Sequence, residues 1–283
     1  MILIIVVILE VLISNIKNKK KTILVTGGSG VVGKILCEKL LSSGYAVENW
    51  DRAAKNDNNL SSKNYKKLII NFNDKRKLQQ VLHSVKNSNK EYFAIIFVHG
   101  IHELGDSRNY RQSMLDEFMQ VNFQANALIV SHISDHVESK IINLSSISTL
   151  IPIPYSGVYS ASKAALDSWL TSTAFELNMV GIKVLNLIVG NINTGFNEKG
   201  VRLRSKNIKS VSNNHLITLA GKINSKSGLN PEFVAKKIIK LLISGGSKNY
   251  YYGKNVRIYK LVEKLIGRNA AIIFAHKFIT KSF

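Results

Sequence analysis

The chain has 283 residues, 45% of them hydrophobic, with three prolines and 18 glycines. That is enough apolar material for one well-buried α/β core and little more than one domain, and it excludes a disordered or fibrous chain. The 39 Lys and Arg against 18 Asp and Glu give a formal charge of +21, but the cations are scattered and no nucleic-acid motif accompanies them, so the excess reads as solvated surface and no nucleic-acid partner is expected.

The first element is an apolar run, Met1 to Ile16, followed by Lys17, Lys19, Lys20 and Lys21. Glu10 interrupts it, and it is shorter than the ~20 residues a spanning helix needs. It has neither the basic leader nor the small-residue cleavage site of a secretory signal. Three readings stay open: a short membrane anchor, an interfacial helix making peripheral membrane contact, or an extension outside the fold. Residues 1–20 are therefore set apart from a single expected domain over 21–283. A lone cysteine, Cys37, rules out an intrachain disulfide and fits a cytoplasmic setting, with membrane association left open. Its place in the first helix suggests a small buried apolar residue.

Thr22 to Thr26 (TILVT) predicts a strand buried on both faces. A glycine loop follows, and Val31 to Ser43 has helical spacing. Further strands are expected over Tyr45–Trp50, Lys67–Ile70, Phe93–Val98, Lys140–Leu144, Ile182–Val189 and, as a short last one, Tyr250–Tyr252. Helices are expected over Lys75–Val85, Ser113–Ser134, Tyr155–Val180, Pro231 to about Ser244, and in two short pieces near Arg257–Ile266 and Ala270–Ile279. Residues 190–228 are polar and mostly aperiodic, the pattern of a substrate lid. The repeated β-α order predicts a Rossmann-type, doubly wound parallel sheet of about seven strands with helices on both faces, which binds ligands at the carboxyl ends of its strands.

Gly27, Gly30 and Gly33 give a G-x-x-G-x-x-G spacing between the first strand and the first helix, in the run Gly27-Gly28-Ser29-Gly30-Val31-Val32-Gly33. Glycine permits the tight turn and lets backbone approach a pyrophosphate, while the helix beginning at Val31 offers free N–H groups and a partial positive charge. Strand, turn and helix together point to a dinucleotide. Asp51 ends the second strand, near the ~20-residue separation expected of the carboxylate that binds the adenosine ribose hydroxyls. That carboxylate repels a 2′-phosphate and favours NAD, whereas the neighbouring Arg52 suits NADP; the balance tips towards NAD.

Tyr159 and Lys163 are four apart on a predicted helix and so share a face. Bringing a phenol from a pKa near ~10 to about 7 needs roughly 4 kcal/mol. One ammonium at ~4 Å supplies about that much at an effective dielectric of ~20. Taken alone, the pair is as readily a surface contact.

With these motifs in order, the chain resembles the short-chain dehydrogenase/reductase family over nearly all of residues 22–265. The resemblance rests on the glycine loop, Val121-Asn122, Ser145-Ser146 after the fifth strand, YSASKAAL at 159–166, and Gly190-Asn191-Ile192-Asn193-Thr194 after the sixth; Ser146 precedes Tyr159 by 13 residues (159 − 146). It implies that Tyr159 is the acid/base, that Lys163 binds the nicotinamide ribose and lowers the tyrosine pKa, and that Ser146 bonds the substrate oxygen. It further implies that Asn122 holds a relay water and that Gly100, Ile192 and Thr194 lie against the cofactor. The sequence departs from the family's Asn-Asn-Ala-Gly after the fourth strand, where it has Phe97-Val98-His99-Gly100, and Val189 replaces the usual proline before Gly190. The glycine spacing matches the branch that includes nucleotide-sugar epimerases and dehydratases.

The expected activity is an NAD(P)-dependent oxidoreductase moving a hydride between nicotinamide and an alcohol or carbonyl in a sugar derivative, polyol or lipid-like alcohol. The alternatives are a redox-neutral, NAD-dependent nucleotide-sugar epimerase or dehydratase, and a non-catalytic dinucleotide sensor. No metal is expected: His132 and His136, four apart, lack a third ligand. His99 and His102, near the cofactor edge, are read as substrate contacts or as structural residues, and Tyr155 as lining the substrate pocket. The apolar stretch Ala270–Ile279 suggests contact with a second subunit, making the chain a homo-oligomer, or with a membrane.

Overall fold

The computed structural model describes residues 20–52, 60, 62–196 and 228–280. The apolar N-terminal run, residues 197–227 of the expected lid and part of the polar stretch after Asp51 lie outside the described residues.

Seven strands form one wholly parallel sheet in the order β3-β2-β1-β4-β5-β6-β7. They are β1 Thr22–Thr26, β2 Ala46–Asp51, β3 Tyr65–Ile69, β4 Tyr92–Phe97, β5 Val137–Ser146, β6 Lys183–Val189 and β7 Lys248–Tyr252. The order reverses between β1 and β4, the place where a doubly wound sheet opens a crevice at its carboxyl edge. The long helices are α1 Val31–Ser42, α2 Lys75–Lys86, α3 Gln112–Met119, α4 Ala125–Ile133, α5 Gly157–Met179, α6 Pro231–Ser244, α7 Lys254–Ile266 and α8 Arg268–Thr280.

Alternation along each strand divides the core between the two faces. Leu24, Ile95 and Ile141 point to the layer made by α2, α4 and α5. Ile23, Val25, Ile96 and Ile142 point to the layer made by α1 and α6. These side chains are fully buried, each contributing about 1.5–3 kcal/mol on leaving water. Cys37 is among them, a buried thiol in α1. One charge enters the core with partners ready: the Lys140 ammonium on β5 donates to the carbonyls of Leu241 (3.1 Å) and Leu242 (2.6 Å). Both carbonyls belong to the last turn of α6, that of Leu241 also accepting the Gly245 N–H (2.7 Å), and a cation is favoured at this negative end of the helix.

The expected single helix over Ser113–Ser134 is divided. Between α3 and α4 the backbone widens into a π-turn at Gln120–Gln124, because the buried Asn122 side chain is drawn out to grip another segment, as described below. Such turns are frequent at functional sites. The fifth strand starts three residues earlier than the apolar run, at Val137, and α5 starts at Gly157 rather than Tyr155.

Candidate active site

The turn after β1 is bare backbone packed as closely as backbone can be. A Cβ on Gly33 would lie 2.1 Å from the Gly27 carbonyl oxygen, and one on Gly27 would lie 2.7 Å from the His99 Cα. Gly27 also holds a φ of +79°, a conformation costly for any other residue. Gly30 caps α1 with no side-chain hydrogen bond, and there is no acid in the first turn. The N–H groups of Val31, Val32 and Gly33 therefore have no carbonyl of their own helix to meet and carry its positive end. These features fit the pyrophosphate of a dinucleotide.

The turn is tied to β2. Asn49 accepts from the Gly28 N–H (2.8 Å) and donates to Ser29 Oγ (3.3 Å) and the Tyr65 hydroxyl (2.8 Å). Asp51 accepts from the Ser29 N–H at 2.9 Å, which places the carboxylate beside the glycine turn, while Arg52 is exposed. Asn49 was not foreseen. It occupies an inward strand position, and only the fold shows that the turn lies above it.

Beyond β4, His99 replaces the small residue expected there. Its Nε2 donates to the Val121 carbonyl (2.9 Å), so its Nδ1 accepts from the Thr26 hydroxyl (2.7 Å). The ring stacks on Phe72 with centroids 4.0 Å apart. Burial, reinforced by the Lys163 charge, lowers its pKa to about 3, so the ring is neutral. His99 thus fastens β1, β4 and the π-turn together where Asn-Asn-Ala-Gly was expected. Asn122 completes the fastening. Its Oδ1 accepts from the Ile101 N–H (2.8 Å), and its Nδ2 donates to the Ile101 carbonyl (2.9 Å) and to Ser162 Oγ (3.0 Å). A Cβ on Gly100 would sit 3.3 Å from Asn122 Oδ1 and 3.5 Å from Lys163 Nζ. The chain segment after β4, the π-turn and α5 therefore converge at this glycine.

Tyr159 and Lys163 lie one turn apart on α5, facing the end of β5. Burial raises the Tyr159 pKa to about 12, the nearby Ser146 hydroxyl opposing the rise and Asp167 adding to it. Lys163 is lowered to about 8 by burial and held from falling further by Asp167. Its Nζ reaches the Leu144 carbonyl at 3.4 Å. Burial and Asp167 thus hold the phenol above its ordinary value, and the Lys163 ammonium is not among the groups that shift it. Asp167 was missed, although its i+4 spacing from Lys163 was visible. It accepts from Ser145 Oγ (2.5 Å) and Asn143 Nδ2 (3.0 Å), and burial raises it to about 6.

The remaining wall is aromatic. His102 meets the Tyr159 ring edge-on, centroids 4.6 Å apart, and lies 5.8 Å from Phe196. Its Nε2 bonds Ser156 Oγ at 2.9 Å, and its buried Nδ1 has no hydrogen-bond partner among the described residues. Burial brings its pKa down to about 4. Tyr155, two residues before α5, holds a φ of 62°, a strained conformation for an aromatic residue of the kind that collects at ligand sites. Ile192 pairs with Leu229 beyond β6, and the Thr194 N–H donates to the Ile192 carbonyl at 2.9 Å, so both stand at the carboxyl edge. His132 and His136 donate from Nδ1 to different main-chain carbonyls, those of Leu128 and Lys90; they form no common site.

Comparison with known proteins agrees with this geometry. Residues 21–203 match the family model described as short chain dehydrogenase. A 3-ketodihydrosphingosine reductase of Bacteroides thetaiotaomicron is 28% identical over 181 residues, 62% of this chain and 65% of that protein. An NADPH-dependent 1-acyldihydroxyacetone phosphate reductase of Schizosaccharomyces pombe is 24% identical over 185 residues, 64% of this chain and 62% of that one. The chain thus spans a little under two thirds of the length of these relatives. The crystal structure of a short-chain dehydrogenase from Streptomyces avermitilis superposes with a TM-score of 0.75 at 18% identity, covering 92% of this chain and 97% of that one. The chain belongs to the short-chain dehydrogenase family.

Proposed function

We propose that this protein interconverts a secondary alcohol and a ketone on a lipid-like substrate, using NAD in preference to NADP, with Tyr159, Ser146 and Lys163 as the reacting constellation. The observation that carries the reading is the placing of the Lys163 ammonium one helical turn from Tyr159, 3.4 Å from the Leu144 carbonyl near the end of β5 and beside the Gly100 backbone. The glycine turn with Val31, Val32 and Gly33 holds the pyrophosphate, Asp51 the adenosine ribose, and Gly100, Ile192, Thr194 and Lys163 the nicotinamide end. Nicotinamide bound there supplies or takes up the hydride.

In the direction of reduction, the Ser146 hydroxyl donates to the substrate carbonyl oxygen and Tyr159 Oη passes its proton to that oxygen as negative charge develops on it. In oxidation the same atom takes the proton back. Lys163 stabilises the phenolate, and Asn122 acts by holding Ile101 and the π-turn in register. The buried, unpartnered Nδ1 of His102 offers a polar contact to the substrate, since leaving such an atom without a partner costs about 1–3 kcal/mol. The lipid-like substrate class is supported by the two named relatives and by the exposed Phe196 ring beside Tyr159 and His102.

The test is a screen of purified protein for absorbance change at the reduced-nicotinamide band with long-chain and short-chain ketones. Net oxidation of the dinucleotide by long-chain ketones is expected, and product formed without net change would overturn the reading in favour of redox-neutral chemistry. Tyr159→Phe should bind dinucleotide as tightly as the parent and lose about 10²–10⁴-fold in turnover.

A further inference from the structure

Beyond β7 the chain forms two helices, α7 and α8, which pack against each other and onto the loop that follows Ser146. The Tyr259 hydroxyl donates to the Leu150 carbonyl (3.3 Å) and His276 Nε2 to the Pro152 carbonyl (2.6 Å). Tyr259 and Ala271 bury themselves with Ile151. The inner side of this hairpin is therefore satisfied, and it braces the segment running from Ser146 towards Tyr159.

Its outer side is not. Ile258, Leu261, Leu265 and Ile266 on α7, with Ile273 and Phe274 on α8, are all exposed, Leu265 to 73%. Ile258, Leu261 and Leu265 recur at helical spacing, so they form a stripe rather than a scatter. Lys254, Arg257, Lys264, Arg268 and Lys277 flank it, all exposed. The acid in this stretch, Glu263, is engaged by Lys260.

We infer that this hairpin docks on an anionic lipid bilayer, with the apolar stripe entering the headgroup boundary and the flanking cations meeting lipid phosphates. A second copy of the chain fits poorly: a two-fold contact would set the same cations against one another, and lysine is depleted from the cores of protein interfaces. An apolar stripe edged by Lys and Arg is what an interfacial helix requires, and each cation near an anionic surface adds about 1 kcal/mol. Docking in this way would set the mouth of the site, through the 147–152 loop, beside the bilayer. That consequence for substrate delivery rests on the lipid-like reading above; the docking does not.

The test uses the full chain carrying Leu261→Cys, labelled with a polarity-sensitive fluorophore; Cys37 is buried and does not compete for the reagent. A control label goes to Lys86→Cys, exposed at the opposite edge of the sheet. With phosphatidylcholine vesicles containing roughly a quarter phosphatidylglycerol, emission at 261 should shift to the blue and emission at 86 should not. The triple variant Ile258→Ser, Leu265→Ser, Phe274→Ser should lower the vesicle-bound fraction of this labelled protein at least about ten-fold. It should keep the thermal melting midpoint and far-ultraviolet circular dichroism of the parent, which report an intact fold. No shift at 261 would overturn the inference even if the N-terminal run carried the protein to vesicles. A label already shielded in buffer would overturn it too, pointing to that run or to a second copy as the occupant. Failure of the absorbance screen would leave the vesicle result untouched, so the two readings fail separately.

Discussion

Asp167 stands one helical turn beyond Lys163 on α5, and each moderates the other's burial. The carboxyl is pushed up to about 6 and the ammonium down to about 8, with their mutual attraction opposing both shifts. Asp167 also raises the Tyr159 phenol. Asp167→Asn should therefore lower the pKa of Lys163 and of Tyr159 together. The alkaline limb of kcat/KM, if set by loss of the Lys163 proton, moves to lower pH. A pH–rate profile of parent and variant checks this, and an unmoved alkaline limb would remove Asp167 from the account. The amide can still accept from Ser145 or face Asn143, so the stability loss should stay near 1–3 kcal/mol.

Asp51 accepts from the Ser29 N–H, so its charge is held beside the glycine turn. A carboxylate there repels a 2′-phosphate by several kcal/mol at short range, less where water screens it. Asp51→Asn keeps an acceptor for Ser29 and removes the charge. The ratio of kcat/KM with NADP to that with NAD should rise about ten-fold or more. An unchanged ratio would mean that Asp51 does not face the adenosine ribose.

The sheet was legible because buried parallel strands are continuous apolar runs, and Ile95-Ile96 or Ile141-Ile142 serve both core layers at once. The glycine turn and the Tyr159–Lys163 pair were legible because their spacing is local, and Asp51 because a carboxylate ending the second strand about 20 residues after such a turn is a recurring pattern. The π-turn was not. The apolar pattern runs unbroken through Gln120–Gln124, and what widens the helix is the grip of Asn122 on Ile101, a contact 21 residues away. Asn49 and Asp167 were missed for the same reason, since their partners come from other elements. His99 was legible only as a departure; its work as a rivet needed Thr26 and Val121 brought to its two nitrogens.

Gly33 tests the glycine turn. A methyl there would stand 2.1 Å from the Gly27 carbonyl oxygen, with Gly28 Cα next at 2.7 Å. Both are backbone, so the turn or the start of α1 must move. Gly33→Ala should destabilise the fold by about 1–3 kcal/mol, as overpacking does, and weaken dinucleotide binding by more than Tyr159→Phe does. Titration calorimetry with NAD and a thermal melt measure the two effects. A variant that melted and bound like the parent would show that the turn has slack.

His99 and His102 make the fold acid-sensitive. Both are neutral in the folded state, lowered to about 3 and about 4 by burial, and both take up a proton near pH ~6.5 once unfolded. The unfolded chain therefore binds more protons between pH ~6.5 and ~4, and stability falls as pH drops through that window. Asp167 acts in the opposite sense: raised to about 6, it keeps a proton in the fold that the unfolded chain releases until its ordinary 3.8. Two histidines against one carboxyl leave a net loss in acid from this cluster. His102→Gln should remove close to one proton of uptake on unfolding, flattening the dependence of stability on pH by up to about 1.4 kcal/mol per unit between pH ~5 and ~6. Urea melts across that range measure the slope. A slope equal to the parent's would mean that the His102 ring is charged, or freely solvated, in the folded protein.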